Sequence, residues 1–299
     1  MSATLDFSTG DLVAMNVAIA AMMFGASLQL RGEDFSRMIR RPKAPLAGMA
    51  AQFLMLPFFT FLLTLALPIH TEFKLGMILV AACPVGAFSN IMTWMARGSL
   101  PTSITMTAVS SSAAAIMTPL NFAFYGWLNP ETRGLLREIS LDPLNLLLLI
   151  VLVLAVPLIL GMIIGKKFPA FSQRSEKYFR NGSLLIFLMF IVLALKKNFP
   201  LFLDVAPQVI GLVILHNAIA LTTGYSIARL LKLSGPEVRA VTLEIGIQNS
   251  GLGLLILFTF YPEGGGMILI TAMWGIWHLV SGLSLSQFWG WKHRHEPGL

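Results

Sequence analysis

Charged residues are scarce in this sequence. They make up 12% of its 299 residues, about half the roughly 25% that is typical of a soluble domain. Hydrophobic residues make up 56%, and apolar runs of about 20 residues, long enough for a helix to cross a bilayer, recur along the chain. The composition therefore excludes a soluble globular protein. It predicts an all-α polytopic membrane protein that forms one transmembrane domain over residues 1–299.

Cysteine and recognisable catalytic motifs are also scarce. Cys83 is the single cysteine, so no intramolecular disulfide can form, and it lies in an apolar run. No G-x-S-x-G motif and no His or Asp pair typical of a metal catalyst occurs, which indicates that the protein is not an enzyme. The N-terminus carries Asp6 and Asp11 and lacks the basic region of a cleavable signal peptide.

The apolar runs predict nine transmembrane spans. Their approximate bounds are 12–30, 45–67, 75–96, 102–128, 144–165, 184–195, 209–228, 240–260 and 267–289. Between them we expect basic loops at 31–43 and 166–180 and a longer polar loop at 129–143. Alternate loops hold sixteen of the 21 Lys and Arg residues, which predicts an outside N-terminus and a cytoplasmic C-terminus. The net charge of +7 is spread over these loops, so we expect no nucleic-acid partner.

Glu244 is the only carboxylate within the predicted spans. An ionisable group at that depth costs several kcal/mol unless it is paired, hydrated or bound to an ion. Gln248 and Asn249 follow it with oxygen donors, and Gly246 weakens the helix between them. We therefore expect Glu244 to hold a cation where this helix is broken.

The third and eighth spans share a pattern of glycine followed by an adjacent Asn and Ser. The third has Gly86 and Ser89-Asn90, and the eighth has Gly246 and Asn249-Ser250. Each is the third span of a group of four, and the two groups enter the membrane in opposite directions. This arrangement predicts inverted repeats with two broken helices that cross near the middle of the membrane.

Oxygen donors dominate the polar side chains inside the spans. The set is Gln52, Ser89, Asn90, Ser103, Thr107, Glu244, Gln248 and Asn249. Thiol and imidazole ligands are nearly absent, which disfavours zinc and copper and favours an alkali cation such as Na⁺. A proton on Glu244 is an alternative. The alternative to a functional role is that neighbouring backbone satisfies His216 and His278, and that Gln52 or Asn217 links helices.

These residues together resemble the bile acid:sodium symporter family, as in its apical sodium-dependent bile acid transporter-like members. The motifs are Gln52, Cys83-Pro84-x-Gly86-x-x-Ser89-Asn90, Ala96-Arg97-Gly98, Glu244-x-Gly246-x-Gln248-Asn249 and Trp277-His278. The resemblance covers roughly residues 12–289. Bacterial members typically have ten spans, and this chain is similar to the nine-span animal members.

The resemblance implies two Na⁺ sites and a two-part architecture. Site one would be formed by Ser89, Asn90, Ser103, Thr107 and Glu244. Site two would be formed by Gln52, Glu244, Gln248 and the backbone carbonyls of Ile245 and Ile247. The spans near 45–128 and 209–289 would form a core that moves against a panel. The panel would consist of the spans near 12–30, 144–165 and 184–195.

The resemblance also implies the class of substrate. The positions that contact substrate in relatives are Asn249, His278, Ala87 and Leu279, and the last two replace polar residues of relatives. We expect a sodium-coupled symporter of a bile acid-like or small organic anion that works by alternating access. We expect it in a bacterial inner membrane, with an organelle envelope as the alternative; the oligomeric state is left open, with a monomer plausible. The alternatives are an uncoupled or proton-coupled facilitator and an arsenite-type efflux carrier of similar fold, for which Cys83 would be the functional cysteine.

Overall fold

The computed structural model describes residues 32–86, 88–138, 156–175 and 199–293, with isolated positions between 17 and 28 and between 178 and 192. The named helices are α1 (Gly32–Arg40), α2 (Lys43–Ala50), a π-helix (Ala51–Met55), α3 (Leu56–Ala66), α4 (Thr71–Ala82), α5 (Phe88–Met95), α6 (Leu100–Leu128), α7 (Pro130–Glu138), α8 (Val156–Lys167), α9 (Phe199–Leu230), α10 (Gly235–Gly246), α11 (Ser250–Phe260) and α12 (Gly265–Lys292). Residues 169–175 are also helical.

The prediction of an all-helical chain is confirmed for the described residues, whose β-structure is limited to one isolated bridge. Three helical segments in this part of the chain are long and apolar enough to cross a membrane. They are Lys43–Ala66, Leu203–Leu230 and Gly265–Lys292. Most of the predicted first and sixth spans, and the first half of the fifth, lie outside the described residues. The count of nine spans therefore stays a prediction.

Two of the predicted spans are broken, as the sequence indicates. Helix α4 ends at Ala82 because Pro84 excludes the helical conformation from the residue before it, and Cys83 is extended with φ −68° and ψ 156°. Helix α10 ends at Gly246, and Ile247 is extended with φ −114° and ψ 95°. Each break leaves backbone groups without helical partners.

The two breaks supply these partners to each other. The Gly86 N–H donates to the Ile247 carbonyl at 2.8 Å, and the Asn249 N–H donates to the Pro84 carbonyl at 2.8 Å. The two segments run antiparallel at this bridge. The broken helices therefore cross backbone against backbone, with no side chain between them.

Replacing Gly86 with alanine should destabilise this crossing. A Cβ at Gly86 would lie 2.8 Å from the Gln248 carbonyl oxygen, and a backbone atom cannot rotate away. We expect a lower melting temperature and a loss of about 1–3 kcal/mol, the usual cost of overpacking. The control is Gly211→Ala, because a Cβ there meets nothing within 4 Å and alanine favours the helix by up to about 1 kcal/mol. Equal melting temperatures for the two variants would contradict the prediction.

The first half of each broken helix lies in the interior of the bundle. Every residue from Phe73 to Ala82 in α4 is buried, and so is every residue from Val238 to Gly246 in α10. Helix α4 packs against α3, α6 and α12, and α10 packs against α9, α5 and α6. A helix that is buried on all sides requires neighbours on all sides, so both breaks are enclosed by other helices.

The same order of elements occurs twice in the described chain. Helix α4 has 12 residues, α5 has 8, and the long α6 has 29. Helix α10 has 12 residues, α11 has 11, and the long α12 has 28. The breaks meet in antiparallel orientation. These lengths are what an inverted repeat would produce, and the repeat itself stays a prediction.

Two segments expected to be loops are helical. The basic segment at 31–43 contains α1, which packs on α6 and includes Arg37 and Arg40, two of the five basic residues of the segment. The polar segment at 129–143 contains α7. The Asn129 side chain accepts a hydrogen bond from the Glu131 N–H at 3.0 Å, and Pro130 begins the helix. An asparagine cap followed by proline is a standard helix start.

The described positions of the first predicted span pack on the fifth. The Ser27 hydroxyl donates to the Pro157 carbonyl at 3.2 Å. A Cβ at Gly161 would clash with Ser27, and a Cβ at Gly165 would lie 2.1 Å from the Leu28 carbonyl oxygen. The glycines of α8 therefore allow close approach of these two spans.

Candidate functional site

Glu244 lies fully buried at the end of α10, facing α6. The Ser103 hydroxyl donates to one carboxylate oxygen, and the Thr107 hydroxyl donates to the other at 3.0 Å. Ser103 and Thr107 are four residues apart, so they lie on one face of α6. Glu244 forms no salt bridge with any basic side chain among the described residues.

Asn90 completes an oxygen-rich cluster around Glu244. Its Oδ1 lies 2.8 Å from the Ser103 hydroxyl and 3.4 Å from the Thr107 hydroxyl. Each hydroxyl thus contacts both a carboxylate oxygen and an amide oxygen, but it has only one hydrogen to donate. Two of the four oxygen–oxygen contacts therefore have no hydrogen between them. A cation among these oxygens would relieve the repulsion.

Ser89, beside Asn90 at the start of α5, places a buried hydroxyl at the same carboxylate. Its Oγ forms no hydrogen bond of standard geometry within the part of the chain that the structure describes, but it lies close enough to interact with the Glu244 carboxylate. All five residues predicted for site one therefore lie around Glu244.

Gln52 and Gln248 form a reciprocal amide pair at the crossing. The Gln52 amide nitrogen donates to Gln248 Oε1 at 2.8 Å, and the Gln248 nitrogen donates to Gln52 Oε1 at 3.0 Å. The same nitrogens also donate to the Cys83 carbonyl at 2.7 Å and the Ile245 carbonyl at 2.8 Å. Both side chains are fully buried. The pair connects α4, α10 and the π-helix.

The residues predicted for site two are thus close together but satisfied by one another. The Ile247 carbonyl accepts the Gly86 N–H at the bridge, and the Ile245 carbonyl accepts from Gln248. The Glu244 oxygens contact α6 rather than the glutamine pair. In this structure the set is closed by its own hydrogen bonds.

A π-helix at Ala51–Met55 places Gln52 at the crossing. Such a segment breaks the regular α-helical hydrogen bonds and occurs often at functional sites. The Phe53 carbonyl accepts a hydrogen bond from the Asn121 amide of α6 at 3.0 Å. Asn121 was not singled out from the sequence, although an amide in the apolar run of α6 was a readable signal.

Asn249, one of the predicted substrate residues, caps a helix. Its side-chain oxygen accepts from the Leu252 N–H at 3.0 Å, which begins α11 after the break. Asn249 therefore has a structural role at the crossing, and its contact with substrate stays a prediction. Ala87, another of these residues, lies outside the described residues.

His278 and Leu279, the other predicted substrate residues, lie on α12 near the crossing. The His278 Nδ1 is buried and has no hydrogen-bond partner among the residues described, and its ring centroid lies 5.4 Å from that of Trp274. Neighbouring backbone therefore does not satisfy this nitrogen. Leu279 packs on a cluster that includes Met92 and Ile247.

His216 and Asn217 of α9 are buried and bonded to other helices. Neighbouring backbone does not satisfy His216 either, because its ring nitrogens contact the side chains of Thr60 at 2.8 Å and Trp274 at 3.0 Å. Asn217 does link helices. Its amide donates to the Gly246 carbonyl at 2.9 Å, at the end of α10.

The chain also matches known proteins over most of its length. The model of the Sodium Bile acid symporter family matches residues 16–204. The chain belongs to the sodium bile acid symporter family. Relatives that it matches are named as sodium-dependent transporters or sodium/metabolite cotransporters, so the chain belongs among transporters and not among enzymes.

Relatives occur in bacteria, plants and animals. The chain is 28% identical over 280 residues to an uncharacterized sodium-dependent transporter, YocS, of Bacillus subtilis (strain 168), covering 93% of this chain and 83% of that protein. It is 27% identical to a probable chloroplastic sodium/metabolite cotransporter, BASS1, of Oryza sativa subsp. japonica, covering 93% and 66%. It is 27% identical to sodium/bile acid cotransporter 5 of Rattus norvegicus, covering 84% and 56%. The chain thus spans less than two thirds of the plant and rat proteins.

Proposed function

We propose that this protein is a sodium-coupled symporter of an organic anion that works by alternating access. The observation that carries the proposal is the buried Glu244 carboxylate, which lies among oxygen donors beside the crossing of two broken helices. It has no basic partner among the described residues. A buried carboxylate in a membrane requires compensation, and an alkali cation supplies it.

The first Na⁺ would bind at Glu244, with Ser103, Thr107, Asn90 and Ser89 as the other ligands. The surplus of oxygen contacts over hydrogens and the buried Ser89 hydroxyl beside the carboxylate support this assignment. All of these are hard oxygen donors, the ligand type that alkali cations prefer. Binding would neutralise the carboxylate and tie α5, α6 and α10 together.

The second Na⁺ would bind where the glutamine pair now closes the crossing. Its ligands would be the side-chain oxygens of Gln52, Gln248 and Glu244 and the carbonyls of Ile245 and Ile247. The pair would have to open to admit the ion, because its amide nitrogens lie against these same oxygens. The second ion would therefore lock the π-helix onto both breaks.

The substrate would be an organic anion that binds beside the crossing. Relatives are named for bile acids or for metabolites, which supports an organic solute but does not distinguish between these classes. The free Nδ1 of His278 could hydrogen-bond such a solute. The start of α11, capped by Asn249, carries partial positive charge that favours a carboxylate or sulfate.

The architecture would consist of a moving core and a panel. The core would include α2–α6 and α9–α12, and the panel the spans near 12–30, 144–165 and 184–195. The contacts of Ser27 and Leu28 with α8 support the panel. Nine spans, an outside N-terminus and a bacterial inner membrane complete the proposal. The membrane potential would contribute about 2.3 kcal/mol per charge per 100 mV.

The alternative with most support is a proton-coupled facilitator. A proton on Glu244 would supply one of the hydrogens that the cluster lacks, so the same contacts suit a protonated acid. An arsenite-type carrier has less support. Cys83 is fully buried, and its backbone carbonyl, rather than its thiol, contacts Gln52.

The test is the melting temperature of the purified protein in choline chloride, followed by titration with NaCl. Sodium that binds only the folded state should stabilise it by about 2.7 kcal/mol at 100 times its dissociation constant, which corresponds to a rise of about 4 °C at this chain length. KCl serves as the ionic control. A melting temperature that responds equally to sodium, potassium and choline but rises with acidification would favour the proton-coupled alternative.

A further inference from the structure

We infer that Asn217 and Ser281 couple cation binding at the crossing to the position of α12, the helix that carries His278 and Leu279. The inference rests on the proposed function and adds two positioning residues to it. Neither residue is among the proposed ligands of the ions or of the substrate.

A continuous series of hydrogen bonds connects the two places. The Asn217 amide donates to the Gly246 carbonyl at 2.9 Å. The Ser281 hydroxyl donates to Asn217 Oδ1 at 2.6 Å and lies 3.3 Å from the His278 carbonyl. Gly246 lies between Glu244 and Gln248 in the sequence, so one end of the series is at the cation ligands and the other is at the substrate helix.

His216 fixes the position of Asn217. The indole N–H of Trp274 can only donate, so His216 Nδ1 accepts it at 3.0 Å and the ring is neutral. The remaining N–H, on Nε2, then donates to Thr60 Oγ1 at 2.8 Å. Both ring nitrogens are thus used, and the ring holds α9 between α3 and α12. Asn217 is the next residue, and both side chains are buried.

Gly246 has little freedom to move independently of α9. A Cβ at this position would lie 2.2 Å from the Leu221 side chain, so the two helices are in direct contact here. Its carbonyl is at the end of α10, where no further helical N–H is available, and Asn217 supplies the donor. A shift of Gly246 on cation binding must therefore either carry Asn217 with it or leave buried polar groups without partners.

Ser281 differs from its neighbours on α12. The Ser284 hydroxyl donates to the Val280 carbonyl of its own helix at 2.8 Å. The Ser286 hydroxyl likewise donates to the Gly282 carbonyl at 2.6 Å. This is the ordinary behaviour of serine in a membrane helix. The shorter contact of Ser281 is with Asn217 of α9. Its hydroxyl therefore joins helices, and Ser284 provides a matched control on the same helix.

The test uses alkylation of a cysteine introduced by Leu279→Cys, measured with a maleimide in NaCl and in choline chloride. Leu279 is partly buried against Ile247, so the rate can move in either direction. The native Cys83 is fully buried and gives the background in the unsubstituted chain. We expect sodium to change the alkylation rate about fivefold or more, the lower end of typical coupling between sites.

Adding Ser281→Ala to this reporter should reduce the sodium effect on alkylation to within about twofold, while the sodium-induced rise in melting temperature remains. Asn217→Ala should do the same, which covers the case in which one variant folds poorly. Ser284→Ala should leave the sodium effect intact, and Ser281→Thr, which keeps a hydroxyl, should restore it.

The outcomes separate the link from the proposed function. If sodium raises the melting temperature but does not change the alkylation rate of the reporter, cation binding does not alter α12 and the inference is overturned. A full sodium response in Ser281→Ala and Asn217→Ala overturns it as well. If sodium does not raise the melting temperature of the parent chain, the proposed cation sites fail first.

Discussion

Replacing Glu244 with glutamine should abolish the sodium-dependent rise in melting temperature and sodium uptake into liposomes, while the protein still folds. The amide keeps the size of the side chain and can still contact Ser103 and Thr107 of α6. It removes the only charge in the oxygen cluster that can neutralise a cation. Loss of one partner from a buried charge pair costs about 2–5 kcal/mol, which lowers sodium affinity by about 30-fold to several thousand-fold.

The sign of the effect on stability distinguishes this prediction from simple misfolding. Without sodium, Glu244 is an uncompensated buried carboxylate, and converting it to a neutral amide removes that penalty. Glu244→Gln should therefore melt at the same or a higher temperature than the parent in choline chloride. In NaCl the order should reverse, because only the parent gains ligand stabilisation.

Glu263→Gln is the matched control. Glu263 is exposed in the turn between α11 and α12, and its backbone carbonyl rather than its side chain caps the next helix. This substitution changes the net charge by the same amount and should leave the sodium response unchanged. A sodium response in Glu244→Gln equal to that in Glu263→Gln would show that the cation binds elsewhere.

The sequence predicted the broken helices and the need of Glu244 for polar partners because local residues determine them, whereas the grouping of Glu244 with Ser103 and Thr107 came from the family resemblance. Pro84 excludes helix from Cys83 whatever surrounds it. A carboxylate in an apolar run requires partners whichever helix supplies them. The i, i+4 spacing of Ser103 and Thr107 fixes them on one face of α6 before any packing is known.

Contacts between distant segments that lie outside the family motifs were not predicted. The π-helix around Gln52 is accommodated by Asn121, which lies 68 residues after Phe53 in the sequence and donates a hydrogen bond to the Phe53 carbonyl. The side-chain partners of His216 come from α3 and α12. No periodicity within one span encodes such pairings. The start of α7 is different, because Asn129 and Pro130 were a local signal that the polarity of the segment obscured.

Replacing Gln248 with alanine should remove one sodium ion and leave the other. The proposed site one does not use Gln248, whereas site two depends on it and on its partner Gln52. At saturating sodium, each bound ion adds about 1.4 kcal/mol of stability per tenfold increase in concentration. We expect this slope to be about twice as large in the parent as in Gln248→Ala.

The stability of the variants in choline chloride tests the glutamine pair itself. Removing Gln248 leaves the Gln52 amide oxygen and the Ile245 carbonyl without a partner in the interior. Removing Gln52 does the same to the Gln248 amide oxygen and the Cys83 carbonyl. The single variants Gln248→Ala and Gln52→Ala should therefore each lose about 1–3 kcal/mol. The double variant should lose less than the sum, with a coupling of about 0.5–3 kcal/mol for residues in direct contact.

Gln287→Ala is the control for both measurements, because Gln287 is an exposed glutamine on α12. It should retain the slope and the stability of the parent. A slope that stays at the parent value in Gln248→Ala would place the second ion away from the crossing. In that case, the glutamine pair would serve only to hold the two breaks together. A halved slope together with strong coupling would mean that Gln52 and Gln248 both close the crossing without sodium and bind the second ion when it is present. The same amide oxygens cannot accept the hydrogen bonds of the pair and coordinate the ion at one time, so the pair must open when the ion binds.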